Sequence, residues 1–302
     1  MELVLAIDIG GTNTAFSLVN RVGEQVFNYS FKTAKYIDIQ ELADDVFVYV
    51  KGYAKDMARI SAIGIGGPAA DYFSGTLNNP ANLNFAGIIP IVKIFEEKFS
   101  LPAVLDNDAN TAALGEMYFG GAKGMKNFLV ITIGTGLGSG IVCEERLLRG
   151  HNGFAGEIGH TIVETDGREC KCGRKGCLER YVSANGICQN YGENVEITAY
   201  GIMKAAQEGD AKAVEAYRKT GKYLGFALAN AVAFFDPEAI FLFGGPVKAG
   251  KVLLEPTIHS FNNNLLWLFK DKIKIGISQL LDKNSAILGA AALAFEKIDN
   301  KT

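Results

Sequence analysis

Residues 3–20 read L-V-L-A-I-D-I-G-G-T-N-T-A-F-S-L-V-N. Leu3 to Ile9 is apolar nearly throughout and rich in branched side chains, the composition of a buried strand. Gly10-Gly11-Thr12-Asn13 predicts a tight turn, and the run from Thr14 an antiparallel partner. The same order of motifs returns later. Phe128 to Ile133 predicts a buried strand, Gly134-Thr135-Gly136-Leu137-Gly138 a glycine turn, and Ser139 to Cys143 the returning strand. No long repeat is visible by identity, so the duplication rests on order alone. Two such units imply a duplicated fold led by three-stranded meanders, rather than a single Rossmann sheet.

Outward from the first unit, Gln25 to Phe31 alternates and completes a meander. Gln40 to Arg59 places Leu42, Val46, Val50, Tyr53 and Met57 at helical spacing, which predicts an amphipathic helix. Short strands follow at Ser61 to Ile65, ending in Gly66-Gly67-Pro68, and at Ala103 to Leu105, ending in Asp106-Asn107-Asp108 before a helical run. Beyond the second unit, Ala211 to Phe235 predicts a long helix stopped by Asp236-Pro237. Glu238 to Phe243 reads as a strand, Gly244-Gly245-Pro246 as a turn, Ala249 to Phe269 as mostly helix, Lys274 to Gln279 as a last strand and Ser285 to Lys297 as a helix. Strands followed by helices make the class α/β. The domain expectation is a small α/β domain at 1–110, joined by the C-terminal helix 285–302, and a large α/β domain at 111–284.

With 302 residues, 48% apolar and 21% charged, the composition is that of an ordinary globular protein with a sizeable core. A net charge of −3, with no block of like charge, offers no case for nucleic acid or an anionic membrane. No apolar stretch reaches the roughly 18 residues of a spanning helix, and no signal-peptide pattern precedes the first strand. Five cysteines, with Cys143 and Cys188 in apolar settings, fit a reducing compartment. The expected location is the cytoplasm.

Chemistry concentrates in residues 157–179, E-I-G-H-T-I-V-E-T-D-G-R-E-C-K-C-G-R-K-G-C-L-E. His160, Cys170, Cys172 and Cys177 form H-x9-C-x-C-x4-C, one imidazole and three thiols, the closed ligand set of a structural Zn2+ site. The competing reading is a disulfide or a chance cysteine cluster. Asp8 stands at a strand end beside the amides of Gly10, Gly11, Thr12 and Asn13, a pattern suited to phosphate oxygens and a water-bridged Mg2+; a hairpin turn with an incidental Asp explains it equally well. The second turn, Gly134, Thr135, Gly136 and Gly138, strengthens the phosphate reading, because two such turns grip a nucleotide from both sides. Neither is a Walker loop or a Rossmann fingerprint. Asp106-Asn107-Asp108 divides evenly between a general base at a strand end and ordinary helix capping. Asn78-Asn79-Pro80-Ala81-Asn82-Leu83 reads first as a turn, with sugar binding as the alternative.

Together these motifs resemble the ROK family of sugar kinases and related repressors, from D-I-G-G-T-N through D-N-D-A-N-T-A-A-L-G-E, G-T-G-L-G-S-G and the metal loop to F-G-G-P-V. The resemblance implies an actin/hexokinase-like fold, also called ribonuclease H-like, with two domains closing on a cleft, and usually a homodimer. It implies Asp108 as catalytic base and Asn107, Glu157, His160 and Glu179 as sugar-contacting residues. Gly67 matches a glycine lining the sugar site, and Asn82 the Asn of the family's P-N-L turn, with Ala81 here in place of Pro. Gly10 to Asn13 and Gly134 to Gly138 match the phosphate turns, and Gly244-Gly245 the adenosine-side turn, followed by Pro246 where glycine is more usual. The implied activity is transfer of the γ-phosphoryl group of ATP, with Mg2+, to the 6-hydroxyl of a hexose, glucose first. N-acetylmannosamine, N-acetylglucosamine or fructose are alternative acceptors, polyphosphate an alternative donor, and a non-catalytic sugar sensor an alternative role. The family's repressors carry an N-terminal helix-turn-helix, whereas this sequence opens at the first phosphate strand, so no nucleic-acid partner is expected.

Overall fold

In the computed structural model, residues 2–54, 57–80, 83–192, 196–281 and 284–299 are described. The chain divides into two compact units: Met1–Lys123 with Gly150–Gly153 and Asp282–Thr302, and Gly124–Arg149 with Phe154–Leu281.

The first unit begins with β1 (Leu3–Ile9), β2 (Asn13–Asn20) and β3 (Gln25–Lys32), an antiparallel meander with Asp8 opposite Ala15. Helix α1 (Ile39–Tyr53) is capped by Asp38, whose side chain accepts from the Gln40 amide, and it buries Leu42, Val46 and Val50. The helix stops at Tyr53 rather than Arg59. Tyr53 is held against β3, stacked on Phe27 at 4.6 Å with its hydroxyl on the Val26 carbonyl, and Met57–Arg59 forms a separate 3-10 turn. β4 (Ile60–Gly66) adds to β1 in parallel. Three very short strands, β5 (Ala70–Asp71), β6 (Thr76–Asn78) and β7 (Ile88–Ile89), make a small separate sheet. Helix α2 (Ile91–Phe99) leads to β8 (Ala103–Asp106), parallel to β4, and then to α3 (Asp108–Phe119).

The main sheet therefore runs β3-β2-β1-β4-β8. Side chains alternate across it. Leu3, Leu5, Ile7 and Ile9 enter the core formed with α1 and α2. Val4, Ala6 and Asp8 take the other face, which the C-terminal helix (Ser285–Asp299) covers, with α3 packed against that helix. A Cβ on Gly64 of β4 would overlap the Ala290 carbonyl, so glycine is what lets that helix lie directly on the strands.

The second unit repeats the plan. β9 (Phe128–Ile133) and β10 (Leu137–Cys143) form the glycine-turn hairpin, extended by β11 (Arg146–Leu147). Short helices α4 (Glu179–Val182) and α5 (Ala184–Tyr191), then α6 (Ala199–Gln207) and α7 (Ala211–Phe235), follow the metal loop. β12 (Ala239–Phe243), α8 (Lys251–Asn264) and β13 (Lys274–Ile277) complete a sheet of order β11-β10-β9-β12-β13. Both sheets thus carry an antiparallel hairpin followed by two parallel strands, so the duplication seen in motif order is present in the topology. Leu266, Trp267 and Leu268, at the expected end of the helix after Ala249, stay exposed, and Trp267–Phe269 is a 3-10 turn. No helix among the described residues is long and apolar enough to cross a membrane.

Candidate active site and metal cluster

In the first unit the site gathers at the carboxyl ends of β1, β4 and β8, where parallel strands of an α/β sheet present their loops. Asp106 ends β8 and is buried; its Oδ1 accepts from the Asn107 amide at 2.9 Å and from Asn110 Nδ2 at 2.7 Å. Asn107 caps α3, its Oδ1 accepting from the Asn110 amide at 2.8 Å. The capping duty in D-N-D therefore falls on Asn107. Asp108, next in the chain, accepts from Thr111 Oγ1 at 3.0 Å through its backbone carbonyl, while its carboxylate has no hydrogen-bond partner among the described residues and the residue stands exposed in the first turn of the helix. Protein crowded around its inner side displaces water and pushes its carboxyl above the usual carboxylate range.

Asp8 reaches the same end of the sheet from β1, and a Cβ on Gly66 would sit 3.8 Å from its Oδ1 and 3.6 Å from Thr111 of α3. Burial first, and then the like charge of Asp108, raise Asp8 to about 7. Two like charges at one end of the sheet thus oppose each other, and the charge of Asp108 disfavours the charged form of Asp8. A divalent cation drawn to two such carboxylates would relieve that repulsion, and this donor chemistry fits a hard oxygen-seeking ion such as Mg2+.

The turn after β1 is fixed from behind. Gly10 N donates to Asn13 O at 3.0 Å, Thr33 Oγ1 donates to Gly10 O at 2.7 Å, and Thr33 N donates to Thr12 O at 3.0 Å. Gly11, Thr12 and Asn13 are exposed, and the amides of Gly11 and Thr12 find no acceptor among the described residues. Gly67 donates its amide to Asp106 O at 3.2 Å. Asn82, with Ala81 before it, lies outside the described residues.

In the second unit the corresponding turn joins β9 to β10. Gly134 and Thr135 are exposed, Gly134 N donates to Gly136 O at 2.9 Å, and Ala184 N donates to Gly134 O at 2.8 Å. The Leu137 amide donates to Glu179 Oε2 at 3.2 Å, and a Cβ on Gly136 would come within 2.7 Å of that oxygen. Gly244 (φ 112°) lies against the Ile133 carbonyl and turns the chain from β12 into the 3-10 segment Gly245–Ala249. Glu157 is exposed at the start of a 3-10 turn, Ile158–His160, where His160 N donates to Glu157 O at 3.0 Å.

His160, Cys170, Cys172 and Cys177 bring their donor atoms within 4.8 Å of one another. The Cys172–Cys177 sulfurs are 3.6 Å apart and Cys170 Sγ lies 3.7 Å from His160 Nδ1. Donors about 2.3 Å (sulfur) and 2.0 Å (nitrogen) from a tetrahedral Zn2+ are separated by roughly these distances. No disulfide joins the cysteines. The backbone amide of Arg174 and then its guanidinium lower Cys172 to about 6, which favours the thiolate a metal needs. The residues fit the ion, and with four protein donors no coordination position stays open for catalysis. His160 presents Nδ1 to the cluster, so its other ring nitrogen points away.

One feature of this unit gave no sequence signal. An apolar cavity of about 330 Å³ lies behind the Glu157 turn, walled by Leu129, Ile141, Ile158 and Phe234, with Ser139 Oγ donating to Gly156 O at 2.6 Å along its edge.

Among solved structures, the chain matches a ROK family glucokinase from Streptomyces griseus in complex with glucose and AMPPNP at 31% identity and a TM-score of 0.79, covering 97% of this chain and 99% of that one. The fold is the actin/hexokinase-like one. The ROK family pattern spans residues 4–297, and the chain belongs to the ROK family. It is 34% identical to a glucokinase of Halalkalibacterium halodurans over 96% of this chain and 94% of that protein. It is also 32% identical to a xylose repressor of Caldicellulosiruptor bescii, over 96% of this chain and 77% of that protein. Likeness within the family thus extends to enzymes and regulators.

Proposed function

We propose that the chain is an ATP-dependent hexose kinase acting on the 6-hydroxyl of a sugar, glucose first, with Asp108 as the general base. The observation that carries this reading is the free carboxylate of Asp108, relieved of capping by Asn107 and raised above its ordinary range. A sugar hydroxyl is a weak nucleophile. As its oxygen bonds to the γ-phosphorus, the hydroxyl proton passes to an Asp108 oxygen, and the bond from phosphorus to the β–γ bridging oxygen breaks to release ADP. The unengaged amides of Gly11 and Thr12 suit the negative oxygens of the phosphates, and Gly134 and Thr135 present a second turn of the same kind. Asp8 would hold a bound Mg2+, which neutralises phosphate charge. Asn107, Glu157, His160 and Glu179 supply acceptors and donors for sugar hydroxyls, Gly67 and, by the family pattern alone, Asn82 are assigned to the same sugar, and Gly244-Gly245 serves the adenosine side. The four-donor cluster takes Zn2+ and has an ordering role.

We place the enzyme in the cytoplasm as a homodimer, without nucleic-acid or membrane partners. Similarity to glucokinases supports glucose as acceptor, and similarity to the xylose repressor supports a sugar sensor as the second reading. ADP release with Mg-ATP across glucose, mannose, fructose, allose, N-acetylglucosamine and N-acetylmannosamine, with Asp108→Asn alongside, separates them. Turnover on one sugar that Asp108→Asn abolishes supports the kinase and names its acceptor. Sugar binding in both proteins without turnover in either replaces it with the sensor; polyphosphate in place of ATP tests the donor.

A further inference from the structure

The backbone of Leu137, at the end of the second glycine turn, is gripped from two sides by the metal loop, its amide and its carbonyl lying in consecutive peptide groups. On its donor side, the Leu137 amide gives its hydrogen to Glu179 Oε2 at 3.2 Å. On its acceptor side, Gly159 lies so close to the Leu137 carbonyl that a Cβ there would overlap it. Each jaw is tied to a metal donor, since Gly159 immediately precedes His160 and Glu179 follows Cys177 by two residues. The loop halves are joined to each other by Leu178 N donating to Thr161 O at 2.9 Å and Val163 N donating to Gly176 O at 2.9 Å. Farther along the same segment, Ala184 N holds the other end of the turn through Gly134 O at 2.8 Å. Leu178, Tyr181 and Val182 are buried, so the segment carrying Glu179 and Ala184 is anchored in the core of the unit.

We propose that Glu179 is a positioning residue for the phosphoryl-donor turn, and that through it the four-donor cluster sets nucleotide affinity as well as loop order. This deepens the kinase reading and rests on it. A carboxylate accepting the Leu137 amide fixes the peptide whose neighbours, Thr135 and Gly136, offer their own amides to phosphate. Releasing Glu179 lets that peptide rotate, and the ordering cost then falls on nucleotide binding. A residue that only touched sugar would leave nucleotide affinity unchanged.

The test uses the Zn-loaded protein and two readouts that do not need turnover: Mg-ADP affinity by titration calorimetry and exchange of the Leu137 amide hydrogen. Glu179→Ala is expected to raise the Mg-ADP Kd and to speed Leu137 exchange, each by about tenfold, the scale of one lost hydrogen bond to a charged group. Glu179→Gln keeps an acceptor oxygen and is expected to stay within about threefold of wild type on both. Should Glu179→Ala fail to fold, stripping the metal from wild type with a chelator is the second arm. It is expected to weaken Mg-ADP about tenfold, and to change the already loosened Gly159→Ala protein by less than about twofold, because coupled perturbations do not add. Mg-ADP affinity and Leu137 exchange unchanged in Glu179→Ala, with glucose affinity alone reduced, overturn the proposal and leave the kinase standing. A wild-type protein that binds no Mg-ADP overturns the kinase reading, and this proposal with it.

Discussion

Asn107 Oδ1 holds the Asn110 amide at 2.8 Å, and this one hydrogen bond settles what its neighbour Asp108 is free to do. A helix start leaves backbone amides needing acceptors, and either residue type can supply one. Because Asn107 does so, the two positions separate into stability and chemistry. Asn107→Ala is expected to cost about 1 kcal/mol, lowering Tm by a few degrees. Asp108→Asn is expected to raise Tm at neutral pH rather than lower it, because its carboxyl is held above the ordinary range, while reducing kcat by at least about a hundredfold. Calorimetric unfolding and steady-state rates on the two variants check both; equal Tm losses would show that Asp108 also holds the helix.

Asp8 gives a pH dependence with a definite sign. In the folded protein it keeps its proton to about 7, whereas an unfolded Asp loses it near about 4. Between those values the folded state binds more protons, so this group's contribution to stability falls as pH rises and levels off above about 7. With Mg2+ absent, the Tm gain of Asp8→Asn over wild type is expected to be larger at pH 8 than at pH 5. A gain independent of pH would mean that Asp8 is not held protonated.

The raised carboxyl of Asp108 moves the acid limb of the rate profile. A base must be unprotonated to accept the sugar proton, so kcat/KM is expected to fall on acidification at a pH above the ordinary aspartate range. Rates from pH 4.5 to 8 locate that limb, and its disappearance from the residual activity of Asp108→Asn would assign it.

The metal loop predicts stoichiometry before activity. Metal analysis is expected to find one Zn2+ per chain, and Cys177→Ser, whose sulfur is fully buried, to lose it. Cys172→Ala, at the exposed donor, is expected to raise the KM for sugar by loosening Glu157 and Glu179. An unchanged sugar KM in a zinc-free Cys172→Ala protein would separate the cluster from the sugar site.

Packing gives a further test. Gly64→Ala places a methyl into the Ala290 carbonyl, two backbone segments that cannot both yield, and is expected to destabilise the protein by about 1–3 kcal/mol. Chemical denaturation measures it directly.

Strand–turn–strand order made both sheets readable, because buried strands ending in glycine turns leave a strong local pattern in residues 3–20 and 128–143. The cluster was readable from four ligand-type residues within one short loop. Strands of two or three residues at Ala70–Asp71, Thr76–Asn78 and Ile88–Ile89 are too short to show a period, and α2 went unpredicted beside them. Choosing between Asn107 and Asp108 as the cap was beyond composition, since both residue types cap well. The bond from Glu179 to Leu137 spans 42 residues and depends on the metal loop folding back over the turn, which no local pattern records.

Helix α9 (Ser285–Asp299) covers β1 and β4, strands that precede it in the sequence by the whole of the second unit. During synthesis the first sheet therefore waits for its cover until the segments of the second unit have been made. The second unit, complete by Leu281, has all its own segments earlier. A nascent chain stalled short of α9 keeps one face of β1 and β4 bare, so truncations that remove α9 should fail at the first sheet.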